Sequence, residues 1–485
     1  MDGRISSAQG VAQGDIRTES GHYKGARSRK ARPVRKPGRR RKAPEPDPVS
    51  PIDLLAGTVR HFFPSFNRGI DKIEDPRCEK MITYSKRHLF WEELLMFLGG
   101  EKSRNQMVSE TLRPGFLDTL LELTGTEEEA AAHPDTSYWL FSKLAPTELV
   151  GFQAKLLRRL FRMRCLEDFR FGREWLLAVD GTWLRSFKEK HCDKCLHQKQ
   201  SDGSTIWFHA ILEAKLILSN GMCFSLASVP IENSGGEYDK QDCEQKAFPR
   251  LAEKLKELFP RLPICLLGDS LYGCAPIIDI CEKKGWSYFF TFKKGRTPAL
   301  WKRAVAKAAA VTEQVHVLKN GTEQRLRWAT MLEHQGHTVH AIISNEIKPD
   351  GTKSLWAWLT DHRPDRSNVS KLANQGGRRR EQIEQQFNIE KNGEFRLKHD
   401  YGSDENAWYN TYLLVQVAHM LLQLIQSSDL VRKLSDGLAD SFTAAFRTVR
   451  NFISRMRESI QRDRVAPRCC GHGPRKIQIR FLDSS

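Results

Sequence analysis

No run of apolar residues in this 485-residue chain approaches the roughly 20 that a membrane-spanning helix needs. The nearest candidate, Trp408 to Ile425, is broken by Asn410, Gln416, His419 and Gln423, so it is expected as a buried helix rather than a span. The N-terminus lacks the hydrophobic region of a secretory signal, and the expected location is cytoplasmic, or nucleoid-associated in a bacterium. Cysteine is sparse and odd in number, at 11, which argues against a disulfide framework and for a reduced compartment. No repeat of fixed period is evident, which excludes solenoids and arrays. Acidic residues are in deficit, 59 against 77 Lys and Arg, and the net charge of +18 favours a polyanionic partner. The first fifty residues carry 13 basic and 5 acidic side chains, a net of +8, so the remaining +10 belongs to the rest of the chain.

What is present falls into distinct stretches. Residues 1–50 are rich in Gly, Ser, Arg and Pro, cannot bury a core and are expected to be a disordered basic tail. Over 51–165, apolar residues recur at three- and four-residue spacings around Leu89–Leu98, Leu112–Leu123 and Leu144–Phe161, the pattern of helices. From about 172 the pattern changes. Trp175–Asp180 reads as a strand. Thr205–Ser219 and Met222–Ile231 read as a hairpin joined at Asn220-Gly221. A helix over Lys240–Phe259, a strand over Pro263–Asp269, a helix over Ala275–Lys284 and a strand over Trp286–Lys293 follow. The order β-β-β-α-β-α-β predicts an α/β fold with a mixed sheet covered by helices. Residues 295–370 hold short strand-like pieces with turn signals at Asn320-Gly321 and Asp350-Gly351, a β-rich insertion.

Three carboxylates stand out. Asp180 ends the run Trp175–Val179, Asp269 ends Ile264–Gly268, and Glu384 lies in the basic helical stretch Arg378–Phe387. Acids at the carboxyl ends of buried strands are where an open α/β sheet presents metal ligands. Three carboxylates brought together repel unless a cation neutralises them, and hard oxygen ligands favour Mg²⁺ or Mn²⁺. Two such ions activate a water or a 3′-hydroxyl for in-line phosphoryl transfer, with no need for a serine or cysteine nucleophile. On a helix, Arg380, Glu384 and Lys391, spaced by four and seven residues, share one face.

Asp180-Gly181-Thr182, Gly268-Asp269-Ser270 and Arg380-x3-Glu384-x6-Lys391 resemble the three acidic motifs of DDE transposases, and are most similar to the insertion-sequence-four family with its Tyr-x2-Arg-x3-Glu-x6-Lys motif. The likeness spans about residues 170–425, includes His399-Asp400-Tyr401 and the apolar helix after it, and extends weakly to Ile82–Leu98. The tyrosine position is held by Gly377. The resemblance implies a ribonuclease-H-like fold, with 51–165 as a helical DNA-end-binding and dimerisation domain, 170–294 and 371–430 as the two parts of the catalytic core, and 431–485 as a basic C-terminal helical region. It implies that Asp180, Asp269 and Glu384 are catalytic and ligate Mg²⁺ or Mn²⁺, and that Arg380 and Lys391 hold DNA. The implied reaction is cleavage at transposon ends followed by strand transfer into target DNA, by a homodimer or larger synaptic complex. It also makes Trp301, Trp328, Trp356 and Trp358 candidates for holding a flipped base, although each also suits a core. The alternatives are a metal-dependent structure-specific nuclease, and a degenerate or repurposed DNA-binding protein.

His191-Cys192-x2-Cys195-x-His197 carries a recurrent zinc spacing, with Cys192, Cys195 and His197 as three ligands and a fourth from His191, His209 or elsewhere. An ordinary reduced hairpin tip is the alternative. Cys469-Cys470-x-His472 is a weaker pattern, because adjacent cysteines chelate poorly. Arg447, Arg450, Arg455, Arg457, Arg462 and Arg464 mark a helical stretch that either tracks phosphates or is a solvated face.

Overall fold

The computed structural model of the chain describes residues 50–101, 103–233, 240–397, 399, 404–429, 448–462 and 481. The tail expected over 1–50 (Ser50 apart), the Cys469-Cys470-x-His472 pattern, Arg447, Arg464, Asp400 and Tyr401 lie outside the described residues.

The three- and four-residue spacings become seven helices, from α1 (Pro51–Phe62) to α7 (Pro146–Met163). Ser50 starts α1 with a capping box: its hydroxyl accepts from the Asp53 amide while the Asp53 carboxylate accepts from its own backbone N–H. In α7, Pro146 occupies the first turn, where its missing N–H costs nothing, and Leu149, Phe152, Leu156, Leu157 and Leu160 form the buried stripe. A near-continuous apolar run makes α3 (Lys86–Leu98) buried almost all round.

One ten-stranded mixed sheet carries the rest. It comprises β1 (Trp175–Phe187), β2 (Leu196–Lys199), β3 (Thr205–Ile217), β4 (Cys223–Ile231), β5 (Ile264–Gly268), β6 (Ser287–Thr291), β7 (Gln314–Val317), β8 (Glu323–His334), β9 (His337–Ile347) and β10 (Lys353–Thr360). The spatial order is β2-β3-β1-β5-β6-β10-β9-β8-β7, with β4 also on β3. β3 runs antiparallel to both β1 and β4, and β1, β5 and β6 run parallel. The parallel connections pass through α8 (Glu244–Leu258) and α9 (Ala275–Lys284), as the alternation of strand and helix patterns requires.

Three features differ from the sequence expectation. β1 continues well past Asp180 to Phe187, because β3 offers it a long antiparallel partner. A helix, α10 (Pro298–Ala309), stands where only strands were expected; Pro298 opens it, and Leu300, Ala304 and Ala308 form its buried stripe. The strands of the β-rich insertion read over 295–370 extend the same sheet, with β10 hydrogen-bonded to β6, an attachment the sequence expectation did not contain.

Each face of the sheet is covered. On one, Leu177, Val179 and Leu266 pack with α8 residues Phe248 and Leu251, in a core that runs on into the N-terminal helices. On the other, Ala178, Leu267, Phe289 and Trp358 pack against Ile383 and Phe387 of α12 (Glu381–Asn392), which follows the short helical turn α11 (Val369–Lys371) and a 3₁₀ turn over Gly377–Arg380. The apolar stretch read as a buried helix is α13 (Glu405–Gln426), and α14 (Val449–Arg462) is the described part of the arginine-rich region. Among the described residues no helix is long and apolar enough to cross a membrane.

A buried ionic network fixes α12 to the sheet. Lys215 Nζ on β3 lies 2.7 Å from Glu390 Oε1 on α12, 2.7 Å from Gln416 Oε1 on α13 and 3.4 Å from Glu213. His419 Nδ1 and Gln416 Nε2 complete the shell of Glu390 at 2.9 and 3.1 Å. Burial alone would raise the Glu390 carboxyl; Lys215 and His419 outweigh it and hold it down at about 2. For Glu213 burial wins, aided by repulsion from Glu390, and its carboxyl is pushed up to about 7. A native pKa above the ordinary 4.5 means that the folded state keeps a proton the unfolded chain releases. This contribution to stability is full below about pH 4.5 and disappears as pH rises through about 7. Glu213→Gln is therefore expected to melt above the parent at about pH 8 and to match it at about pH 4; scanning calorimetry at the two pH values checks this, and an equal shift at both would refute the assignment.

Candidate active site

Asp180 and Asp269 meet through strand register. Trp175 to Ala178 on β1 pair in parallel with Ile264 to Leu267 on β5. Continued for two more residues, that register sets Asp180 beside Asp269, with both side chains on the sheet face covered by α12. β5 stops at Gly268, and the Asp269 Oδ1 accepts from the Leu271 amide at 2.7 Å, which turns the chain away from the sheet.

Glu384 arrives from α12. Arg380, in the 3₁₀ turn that precedes the helix, places Nη2 3.0 Å from Asp180 Oδ1 and donates from Nη1 to Glu384. One guanidinium thus joins the first and third acids. The Arg380 and Asp180 side chains are 15% and 16% exposed, whereas Glu384 is 57% exposed, so the cluster opens to solvent on the α12 side. Lys391, near the end of the same helix, donates to Thr182 Oγ1 at 2.9 Å, two residues beyond Asp180 on β1. The three residues of the helical motif therefore all reach the β1 segment Asp180–Thr182 or one another.

A fourth carboxylate, Glu244, was not legible in the sequence. It opens α8 on the opposite side of β1, accepts from the Tyr272 hydroxyl at 3.2 Å and receives the Gly181 amide. A Cβ on residue 181 would lie 2.5 Å from Glu244 Oε1, so the glycine of Asp180-Gly181-Thr182 is what admits this carboxylate. Gly268 similarly makes room for the Tyr272 ring, at 2.7 Å from a built Cβ. The only hint in the sequence was a pair of glycines, one after the first aspartate and one before the second.

The electrostatics follow from this crowding. Burial is the largest cause of the rise of the Asp180 carboxyl to about 7; Arg380 opposes it, and Glu244, Glu384 and Asp269 add to it. Burial, then Asp269, also raises Glu244. Burial works to lower the Arg380 pKa, but Asp180, Glu384 and Asp269 together raise it. Four acids around one guanidinium leave a site of excess negative charge, and its donors are carboxylate oxygens. These are hard oxygen donors of the kind Mg²⁺ or Mn²⁺ takes, but in this arrangement no three of the four carboxylates present oxygens within 4.8 Å of one another.

Gly377 lies directly against Trp358 of β10. A Cβ there would stand 2.5 Å from the indole Cδ1. Gly376 does the same with Phe289, at 2.8 Å. Arg378 places its guanidinium over the Trp356 ring at 4.8 Å and bonds Glu346 on β9, so β9 and β10 anchor the turn that delivers Arg380. Among the tryptophans considered for a flipped base, Trp358 is 2% exposed core, and Trp301, Trp328 and Trp356 are half-buried, Trp301 against Phe292.

The Cys/His pattern comes together with one exchange. Cys192 Sγ, Cys195 Sγ and His209 Nε2 are mutually 3.6 Å apart. His197 does not join them, contrary to the expectation from spacing. It lies on β2, opposite Trp207, and an extended strand carries it about 6–7 Å beyond Cys195. Its backbone is bonded to Gln241 and its ring packs on Trp207. His209, one of the two histidines foreseen as a fourth ligand, takes the place.

No protein-family model matches this chain, and no curated protein does. Among solved structures, the chain is similar to a piggyBac transposase in a cryo-EM synaptic complex with hairpin DNA, at 9% identity and a TM-score of 0.41, over 88% of this chain and 83% of that one.

Proposed function

We propose that the chain is a DNA transposase of DDE type, with Asp180, Asp269 and Glu384 as the catalytic acids on a ribonuclease-H-like sheet. The observation that carries this reading is the equal register of Asp180 and Asp269 on adjoining parallel strands, bridged through Arg380 to Glu384. The order β4-β3-β1-β5-β6, three antiparallel strands followed by two parallel ones, supports the fold assignment. The net charge of +18 supports a nucleic-acid substrate.

Asp180, Asp269 and Glu384 would hold Mg²⁺ or Mn²⁺, which when bound supplies activation of the attacking oxygen and stabilisation of the leaving one. The remaining work belongs to the chain. Arg380 orients Asp180 and Glu384 and offsets part of the rise in the Asp180 carboxyl. Glu244 and Tyr272 buttress the far side of β1. Lys391 and Thr182 line the approach for a DNA phosphate. In the first step water attacks a phosphodiester in line, the phosphorus–O3′ bond breaks, and a 3′-hydroxyl is freed. In the second that 3′-hydroxyl attacks a target phosphodiester; one phosphorus–oxygen bond forms as another breaks. The helical region 51–165 is assigned to end binding and pairing of two copies, and the location to the cytoplasm or nucleoid.

The test is cleavage of DNA carrying the sequences that flank the coding gene, with Mg²⁺ or Mn²⁺ present. Asp180→Ala, Asp269→Ala and Glu384→Ala should each lose nicking while DNA binding persists in a mobility-shift assay. Wild-type cutting by any one of them removes that residue from the site. Cutting without joining to a supplied target would assign the chain to the nucleases.

A further inference from the structure

We propose that Cys192, Cys195 and His209 hold one structural zinc ion, beside the phosphoryl-transfer site and independent of it. In a tetrahedral site, Zn–S distances of about 2.3 Å and Zn–N distances of about 2.0–2.1 Å set ligand atoms about 3.5–3.8 Å apart. The three edges here are each 3.6 Å, with both sulfurs facing the same imidazole nitrogen. The separation of the sulfurs is far beyond a disulfide's roughly 2.05 Å. Cys195 and His209 are buried, and Cys192 is partly so, which suits a closed structural centre.

The surroundings hold the ligands in place without the help of the ion. Asn233 Nδ2 donates to the Cys195 carbonyl at 2.8 Å, and the Asn233 amide donates to the Lys194 carbonyl at 3.2 Å. The β2–β3 register, continued one residue from Leu196↔Phe208, sets Cys195 opposite His209. The His209 ring stacks on Trp408 of α13 at 5.3 Å. His191 adjoins the cluster, its ring centroid 6.1 Å from that of His209 and its ring stacked on Phe187, and is not among the three gathered ligands. The consequence is mechanical. His209 pairs with Arg185 on β1, the strand that carries Asp180 and Thr182, so the ion staples the β1–β2 connection to β3 and, through Trp408, to α13.

Metal analysis of the full-length chain, purified without chelator, should find about one zinc per chain. Cys195→Ser and His209→Ala should fall to background, while His197→Ala keeps the parent content. A variant that fails to fold is bypassed by the wild-type chain exchanged into Co²⁺, which should give the thiolate charge-transfer and visible bands of a tetrahedral cobalt centre. A parent chain without zinc and without those bands, or a Cys195→Ser variant with the parent's zinc, would overturn the assignment. Neither readout uses DNA cleavage, so a failure here leaves the transposase reading standing, and the reverse also holds.

Discussion

Asp180→Asn is expected to melt higher than the parent chain in the presence of a chelator, by about 2 °C or more, and to lose DNA cleavage by on the order of a thousandfold. Both effects have one origin. The Asp180 carboxylate is largely buried, and Glu244, Glu384 and Asp269 all repel its charge; Arg380 offsets only part of this. Asparagine keeps the shape and the acceptor oxygen but removes the charge. Arg380 retains Glu384 as its partner, so no buried cation is stranded. The excess charge that destabilises the fold is the charge a cation needs, which is why the gain in stability and the loss of activity should arrive together. Thermal melts and a nicking assay on the same preparation check this. A variant that melts lower and still cuts would mean that Asp180 is a structural ion-pair partner of Arg380 and nothing more.

The second large effect is steric. Gly377→Tyr should damage this chain. The built Cβ meets Trp358 at 2.5–2.6 Å on three ring atoms, and Trp358 is locked in the core between β10 and the turn. Forcing the two apart displaces the 3₁₀ turn that delivers Arg380, at a cost of about 3 kcal/mol or more. Gly377→Ala should already be unstable. Trp358→Ala on its own opens a cavity and costs about 3–5 kcal/mol. In the Gly377→Tyr, Trp358→Ala double variant the tyrosine ring has somewhere to go, so the double cost should fall well short of the sum. Chemical denaturation of the four chains measures the coupling; strict additivity would show that Gly377 and Trp358 do not answer to each other.

What the sequence could and could not reveal follows the range of the interactions concerned. The apolar runs into Asp180 and Asp269, the Asn220-Gly221 turn and the helix over 275–284 were readable because each rests on local pattern and turn chemistry. The paired strands of 314–360 were also visible as strands, but not their attachment to β6, since register between distant strands leaves no local mark. α10 was missed although its buried Leu300, Ala304 and Ala308 recur at four-residue spacing, a helical pattern present in the sequence. Within the site, the three acids were marked by their motifs. Glu244 was invisible, because an acid at the start of an amphipathic helix is ordinary, and only the space at Gly181 makes it part of the cluster. The Cys/His pattern was seen through Cys192 and Cys195 with His197 as the third member and His209 as a possible fourth; the strand pairing brings His209, not His197, to the two sulfurs. The close approach of Gly377 to Trp358 is a tertiary contact and leaves no local mark in the sequence.

The central claim is that these carboxylates ligate the ion that cuts DNA, and Asp269→Cys tests it most directly. Sulfur is a poor ligand for hard Mg²⁺ and a better one for Mn²⁺. The variant should bind DNA, fail to nick it in Mg²⁺, and recover nicking in Mn²⁺, while Asp269→Ala recovers in neither. A cysteine variant that cuts at the parent rate in Mg²⁺, or an alanine variant rescued by Mn²⁺ to the same extent, would contradict direct ligation by Asp269.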